Sequence, residues 1–190
     1  LFGPLRTMVA GPIKSMGKHV FGDTNKDAIR SGNWYGNDTT WRMALDLNRM
    51  LLYSDRQGNI QDHPARRIFC IVDGIVGGEG NGPLDPTPKS AGVVLAGRSP
   101  VAVEFACARL MGFDYVHLPM LREALDRQHT LPLVGFDYDG IVCRSSAGEH
   151  DGALSQWQGN VLTFKPHFGW RRHVELANCE GQKEESPCVV

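Results

Sequence analysis

The sequence predicts an α/β fold: a single domain with a mixed or mainly parallel sheet and flanking helices. Three observations predict it. Arg66–Gly74 and Ala91–Gly97 each hold an apolar run of strand length, the pattern of strands covered on both faces. Apolar residues recur at helical spacing after Thr39 and again after Ser99. Strand-like and helix-like segments then alternate along the chain, as in layered α/β domains.

The elements follow in order. Residues 1–36 read as an irregular arm, with scattered Gly and basic residues and no sustained apolar period. The α/β domain is expected over 37–176. Its first helix is capped by Asp38 or Thr39 and carries Trp41, Leu45, Asn48 and Leu52 on one face. Met43, Leu47, Met50 and Leu51 widen that face, and the helix ends near Ser54. The run Ile68–Val72 forms a buried strand ending at Asp73-Gly74. A long Gly/Pro-rich loop is expected from Gly77 to about Lys89, and Ala91–Gly97 forms a second buried strand. Ser99 caps the next helix, Pro100 occupies its first position, and Gly112 stops it. Pro119–Arg127 reads as a short helix. Residues 131–136, 138–144 and 160–164 read as strands, and 177–190 as a polar, disordered tail.

Composition narrows the function. The 190 residues are 42% hydrophobic and 22% charged, enough to bury one sizeable core. Lys and Arg number 20 against 21 Asp and Glu, a formal charge of −1, which argues against a nucleic-acid partner. No apolar run approaches the roughly 18 residues of a membrane span. The 22 glycines and 11 prolines exceed the roughly 12% usual for the pair, the signature of shaped loops. Five widely spaced cysteines with no C-x-x-C point to a reduced, cytoplasmic protein. The chain opens Leu1-Phe2-Gly3-Pro4 without an initiator Met, so a fragment of a longer protein is expected.

The strongest chemical signal is Val72–Pro83, where five of twelve residues are glycine. A strand delivers Asp73 to its carboxyl end, where ligands of open α/β sheets sit. Gly77, Gly78, Gly80 and Gly82 let backbone N–H groups approach an anionic ligand, and Asn81 orients it. Asp73 and Glu79 are the candidates to hold a divalent cation or share a proton. Lys89 closes the loop and is a candidate contact to an anion. Glu104, one turn into an apolar helix, is a third candidate acid–base. Neither G-x-x-x-x-G-K-[ST] nor a G-x-G-x-x-G that opens a helix is present.

These blocks carry a resemblance. Ile71-Val72-Asp73-Gly74, Glu79–Pro83, Gly92–Gly97, Pro100–Val103 and Ala108–Gly112 occur in an order that resembles the family called domain of unknown function 362. The opening Leu1-Phe2-Gly3 is similar to a further block, and the resemblance covers roughly residues 1–120. It implies an upstream half of the same protein, and an iron–sulfur redox module or partner. This chain has no cysteine cluster able to hold such a centre. Glu104 stands where members usually carry Asp, one methylene shorter.

The expected function is therefore the catalytic or ligand-binding part of an enzyme acting on a small acidic or phosphorylated molecule through the Gly-rich acidic loop. The alternative is a non-catalytic scaffold or electron-transfer domain in which that loop is structural.

Overall fold

A computed structural model describes residues 32–146, 148–157 and 161–176. The expected arm lies outside these residues except for 32–36, which form turns and bends, and the tail over 177–190 lies outside them entirely.

Helix α1 spans Thr40–Tyr53. Thr39, one of the two expected caps, holds the N-cap position, but its side chain makes no capping bond and a residue upstream supplies the acceptor. Asn37 Oδ1 accepts from the N–H of both Thr39 and Thr40 at 3.1 Å, while Asp38 pairs with Arg42 at 3.0 Å. Leu45 and Tyr53 are buried, and Tyr53 donates its hydroxyl to Pro132 O at 2.6 Å. Met43, Leu47, Met50 and Leu51 are exposed, so the buried stripe is narrower than the sequence suggests.

The sheet departs most from expectation. Strand β1, Cys70–Asn81, and strand β2, Asp85–Gly97, pair antiparallel as one long hairpin. Only Gly82-Pro83-Leu84 joins them, whereas a parallel crossover needs a dozen or more residues. The Gly/Pro-rich stretch from Gly77 to Lys89 is thus the far end of the hairpin, on both sides of its connection. Gly77 and Gly78 continue the strand, Gly80 takes the left-handed φ of 76, and Pro86 and Pro88 lie on a two-stranded ribbon, where edge positions tolerate them. One register shift lies between Gly74 and Val76, where Ala91 and Gly92 together face Ile75. Gly92 has φ +67, the left-handed conformation that such a bulge requires. The strands are not buried on both faces: Ile71 is 68% exposed and Val94 is 63% exposed.

Helix α2, Pro100–Met111, forms as its sequence specifies. Ser99 Oγ accepts from Ala102 N at 3.2 Å, and Gly112 closes the helix at φ 85. It packs against β2 and carries much of the core. Phe105 is 1% exposed and belongs to one buried cluster with Leu45, Leu121, Val134, Ile141 and Leu154. Helix α3 is Pro119–Ala124. Residues 131–136 form no strand. A 3-10 turn, Tyr138–Gly140, precedes the two-residue strand β3, Val142–Cys143, which pairs antiparallel with β4, Gly152–Ala153.

The described part of 160–164 forms no strand either. Leu162 N donates to Leu110 O at 2.7 Å and Phe164 N to Met111 O at 2.9 Å. These bonds satisfy carbonyls that the last turn of a helix leaves unpaired. The chain then returns past the start of the domain, where Trp170 Nε1 donates to Asn33 Oδ1 at 2.6 Å and His173 stacks on Tyr35 at 4.2 Å. The stretch from Leu162 to His173, basic and aromatic over 165–173, thus acts as a strap. The architecture mixes α and β, with antiparallel strands in both sheets.

Candidate functional site

The Gly-rich stretch splits into two environments along β1. Cys70, Val72 and Gly74 are the half-buried positions near α2, and Gly77 and Glu79 are the half-buried positions further on. Asp73, opposite Val94, lies on the open phase and is exposed. Its Oδ1 accepts from Ile75 N at 3.2 Å, a local turn-type bond beside the bulge. Glu79 stands six residue steps further along the strand, about 20 Å at the usual rise. The two carboxylates therefore do not meet around a proton or a single cation. Among the described residues no group of three or more His, Cys, Asp or Glu gathers in metal-binding geometry.

Glu79 and Lys89 do meet, and a strap residue joins them. Glu79 Oε2 lies 3.3 Å from Lys89 Nζ and accepts from Lys165 N at 3.0 Å. Lys89 Nζ donates to Thr163 O at 3.0 Å and stands 5.4 Å from the Phe164 ring centroid. Gly80 N donates to Lys165 O at 2.8 Å. A Cβ on Gly77 would stand 2.8 Å from the Phe164 ring, so glycine is what lets the ring lie on the hairpin. Glu79, Lys89, Gly77 and Gly80 thus clasp residues 163–165. Gly78 packs on Pro86. Asn81, opposite Asp85, buries an Oδ1 that has no hydrogen-bond partner among the described residues. Gly82 begins the hairpin connection.

Glu104 lies elsewhere, at the edge of a cleft of about 380 Å³ between α1, α2 and α3. Trp41 and Ala44 line it from α1, Cys107 and Met111 from α2, and Met120 from α3, with Trp170 of the returning chain beside them. Asn37 and Thr40 add polar groups at the start of α1. Glu104 as a whole residue is exposed, yet partial desolvation beside these walls raises its pKa above its ordinary value. Cys107, one turn further along α2, is pushed up to about 11 by burial and then by the Glu104 charge. A thiol so placed is a poor nucleophile near neutral pH, whereas a carboxyl with a raised pKa is suited to proton transfer.

The family described as a domain of unknown function (DUF362) matches residues 6–109, more than half of the chain. The chain belongs to the DUF362 family. The DUF362 match takes in α1, the whole hairpin and α2 as far as Arg109, and so includes Glu104, Glu79 and Lys89. The strap residues Thr163–Lys165 that complete the clasp lie beyond it. No curated protein and no solved structure matches the chain.

The structure therefore brings Glu79 and Lys89 together, holds Asp73 apart from Glu79, and places Glu104 in a cleft of its own. Two groups escaped the sequence reading: the aromatic wall of Trp41 and Trp170, and the 163–165 backbone that Glu79 and Lys89 bind. The only sequence signal for the wall was the helical phase of Trp41 with Ala44 on α1, and of Glu104 with Cys107, Ala108 and Met111 on α2. No helix among the described residues is long and apolar enough to cross a membrane.

Proposed function

We propose that this chain is the ligand-binding part of an enzyme that acts on a small molecule in the α1–α2–α3 cleft, with Glu104 as its general acid–base. One observation carries this reading: a carboxyl of raised pKa stands at the edge of an apolar, aromatic-walled cleft. A mainly apolar cavity with few convergent polar groups is the usual form of a small-molecule site. The ligand lies against Trp41 and Met120, and Glu104 exchanges a proton with its polar end. Asn37 and Thr40 are the nearest polar groups for orienting it.

Trp41 and Trp170 provide the readout. Tryptophan emission of the full chain is followed while a panel of small alcohols, amines and carboxylic acids is titrated. The reading expects a binder whose signal disappears in Trp41→Leu and whose affinity changes with pH in wild type and not in Glu104→Gln. A panel whose binders are indifferent to both substitutions would sink it.

A scaffold reading is favoured by the clasp. Glu79 and Lys89, the two charged candidates nearest the glycines, are both engaged in holding the strap. On that reading the hairpin is structural, and the domain carries an iron–sulfur redox partner or the upstream half of the protein.

A further inference from the structure

Antiparallel pairing has a consequence for charge. The register that sets Cys70 against Gly97 brings the residues just before β1 beside those just after β2. Arg66 and Arg67 thereby share a cleft with Arg98. The cleft has a volume of about 620 Å³, within the range of small-molecule sites. Leu133 and Phe136 supply apolar wall, and Ser99–Val101 bring the start of α2 to the same space. The positive end of that helix adds to the field of the arginines.

No Asp or Glu lines this cleft among the described residues. Arg66 Nη2 donates to Ser54 O at 2.6 Å, which holds its guanidinium in place without neutralising it. Arg67 and Arg98 are exposed, and neither forms an ion pair among the described residues. Three arginines thus line one cleft with an apolar wall, and their planar donor forks match carboxylate and phosphate.

We infer that this cleft binds the phosphate or carboxylate of a small molecule whose apolar part lies against Leu133 and Phe136. It is separate from the Glu104 cleft. Trp41 and Ala44 of α1 face that one, whereas Asn48 and Leu52 of the same helix line this one. The inference stands whether or not Glu104 is an acid–base.

The test uses the full 190-residue chain with phenyl phosphate as probe, and inorganic phosphate and phenol as controls. Calorimetry gives affinity, and amide NMR gives location. Phenyl phosphate is expected to bind more tightly than either control and to shift Val101 and Leu133–Phe136. Arg67→Gln and Arg98→Gln are each expected to weaken it at least about tenfold, the scale of a lost charge-assisted bond. Arg98→Lys keeps the charge and is expected to retain part of the affinity, and Arg122→Gln, a charge outside this cleft, to leave it unchanged. Equal binding of phosphate and phenyl phosphate, unmoved by the arginine variants, would mean an adventitious ion only. Phenol binding as well as phenyl phosphate, shifts confined to other residues, or retention on RNA in place of the probe would each overturn the inference. So would an absence of binding by folded wild-type protein at millimolar probe.

Discussion

Glu79 and Lys89 lie 3.3 Å apart across the hairpin, and each also holds the backbone of the strap, at Lys165 N and Thr163 O. The Glu79 side chain is only 10% exposed. Removing one partner therefore leaves the other half-buried without its counter-charge. Glu79→Ala and Lys89→Ala are each expected to destabilise the chain by about 1–3 kcal/mol. The double variant should cost less than the sum of the singles, with a coupling of at least about 0.5 kcal/mol. Urea unfolding of the four proteins measures this. Strict additivity would show that the pair is not a unit.

Gly77 and Phe164 make the second half of the same clasp. A methyl group at residue 77 would stand 2.8 Å from two ring carbons of Phe164, and Phe164 is itself 8% exposed, so the ring has little room to move. Gly77→Ala is expected to cost about 1–3 kcal/mol through overpacking. In a Phe164→Leu background, the added methyl should cost clearly less. Thermal unfolding of the single and double variants decides it, and an unchanged penalty would place the strain somewhere other than the ring.

Helix α2 was legible in the sequence, because everything that makes it is local. Ser99, Pro100 and Gly112 lie at its ends, and the apolar run lies between them. The hairpin was not legible, for a specific reason. Apolar runs around Ile71 and Val94 read as strands enclosed on both faces, yet each keeps one open face in a two-stranded ribbon. Gly77–Asn81 reads as a loop from composition, but it pairs with Asp85–Lys89 as the end of the hairpin, and distant residues lie against it. Lys165 and Phe164 lie more than eighty residues away, and no local pattern announces them. Of the site candidates, Glu104 was readable as a carboxyl breaking an apolar helix. Its cleft was not, since Trp170 joins the lining from the strap. Arg66, Arg67 and Arg98 look unrelated until the strands are known to be antiparallel.

Cys107 offers a chemical check on the interior of the Glu104 cleft. Its thiol is pushed up to about 11 by burial and by the nearby carboxylate. A rise of about two pK units leaves about a hundredfold less thiolate, and the greater nucleophilicity of the more basic thiolate returns about tenfold of that. Iodoacetamide at about pH 8 should therefore alkylate Cys107 about tenfold more slowly in the native chain than in urea. Mass spectrometry of tryptic peptides over time gives the two rates. Equal rates would show that the thiol stands in water and that the cleft does not enclose it.

Glu104 supplies the pH test. Burial raises its pKa in the folded chain above the ordinary 4.5, so the folded state binds this proton more tightly than the unfolded state does. Its contribution to stability is full below the unfolded pKa and is lost as pH rises through the raised folded value. Glu104→Gln holds the side chain in a neutral form at every pH. Wild type and variant should therefore match near about pH 4, and the variant should be the more stable of the two near about pH 7, with the difference level beyond that. Urea midpoints taken across this range provide the comparison. A difference that is flat in pH would mean that the Glu104 carboxylate is solvated in both states. A wild type that gains on the variant as pH rises would mean that a cation pairs with it, and the acid–base reading would then pass to that partner.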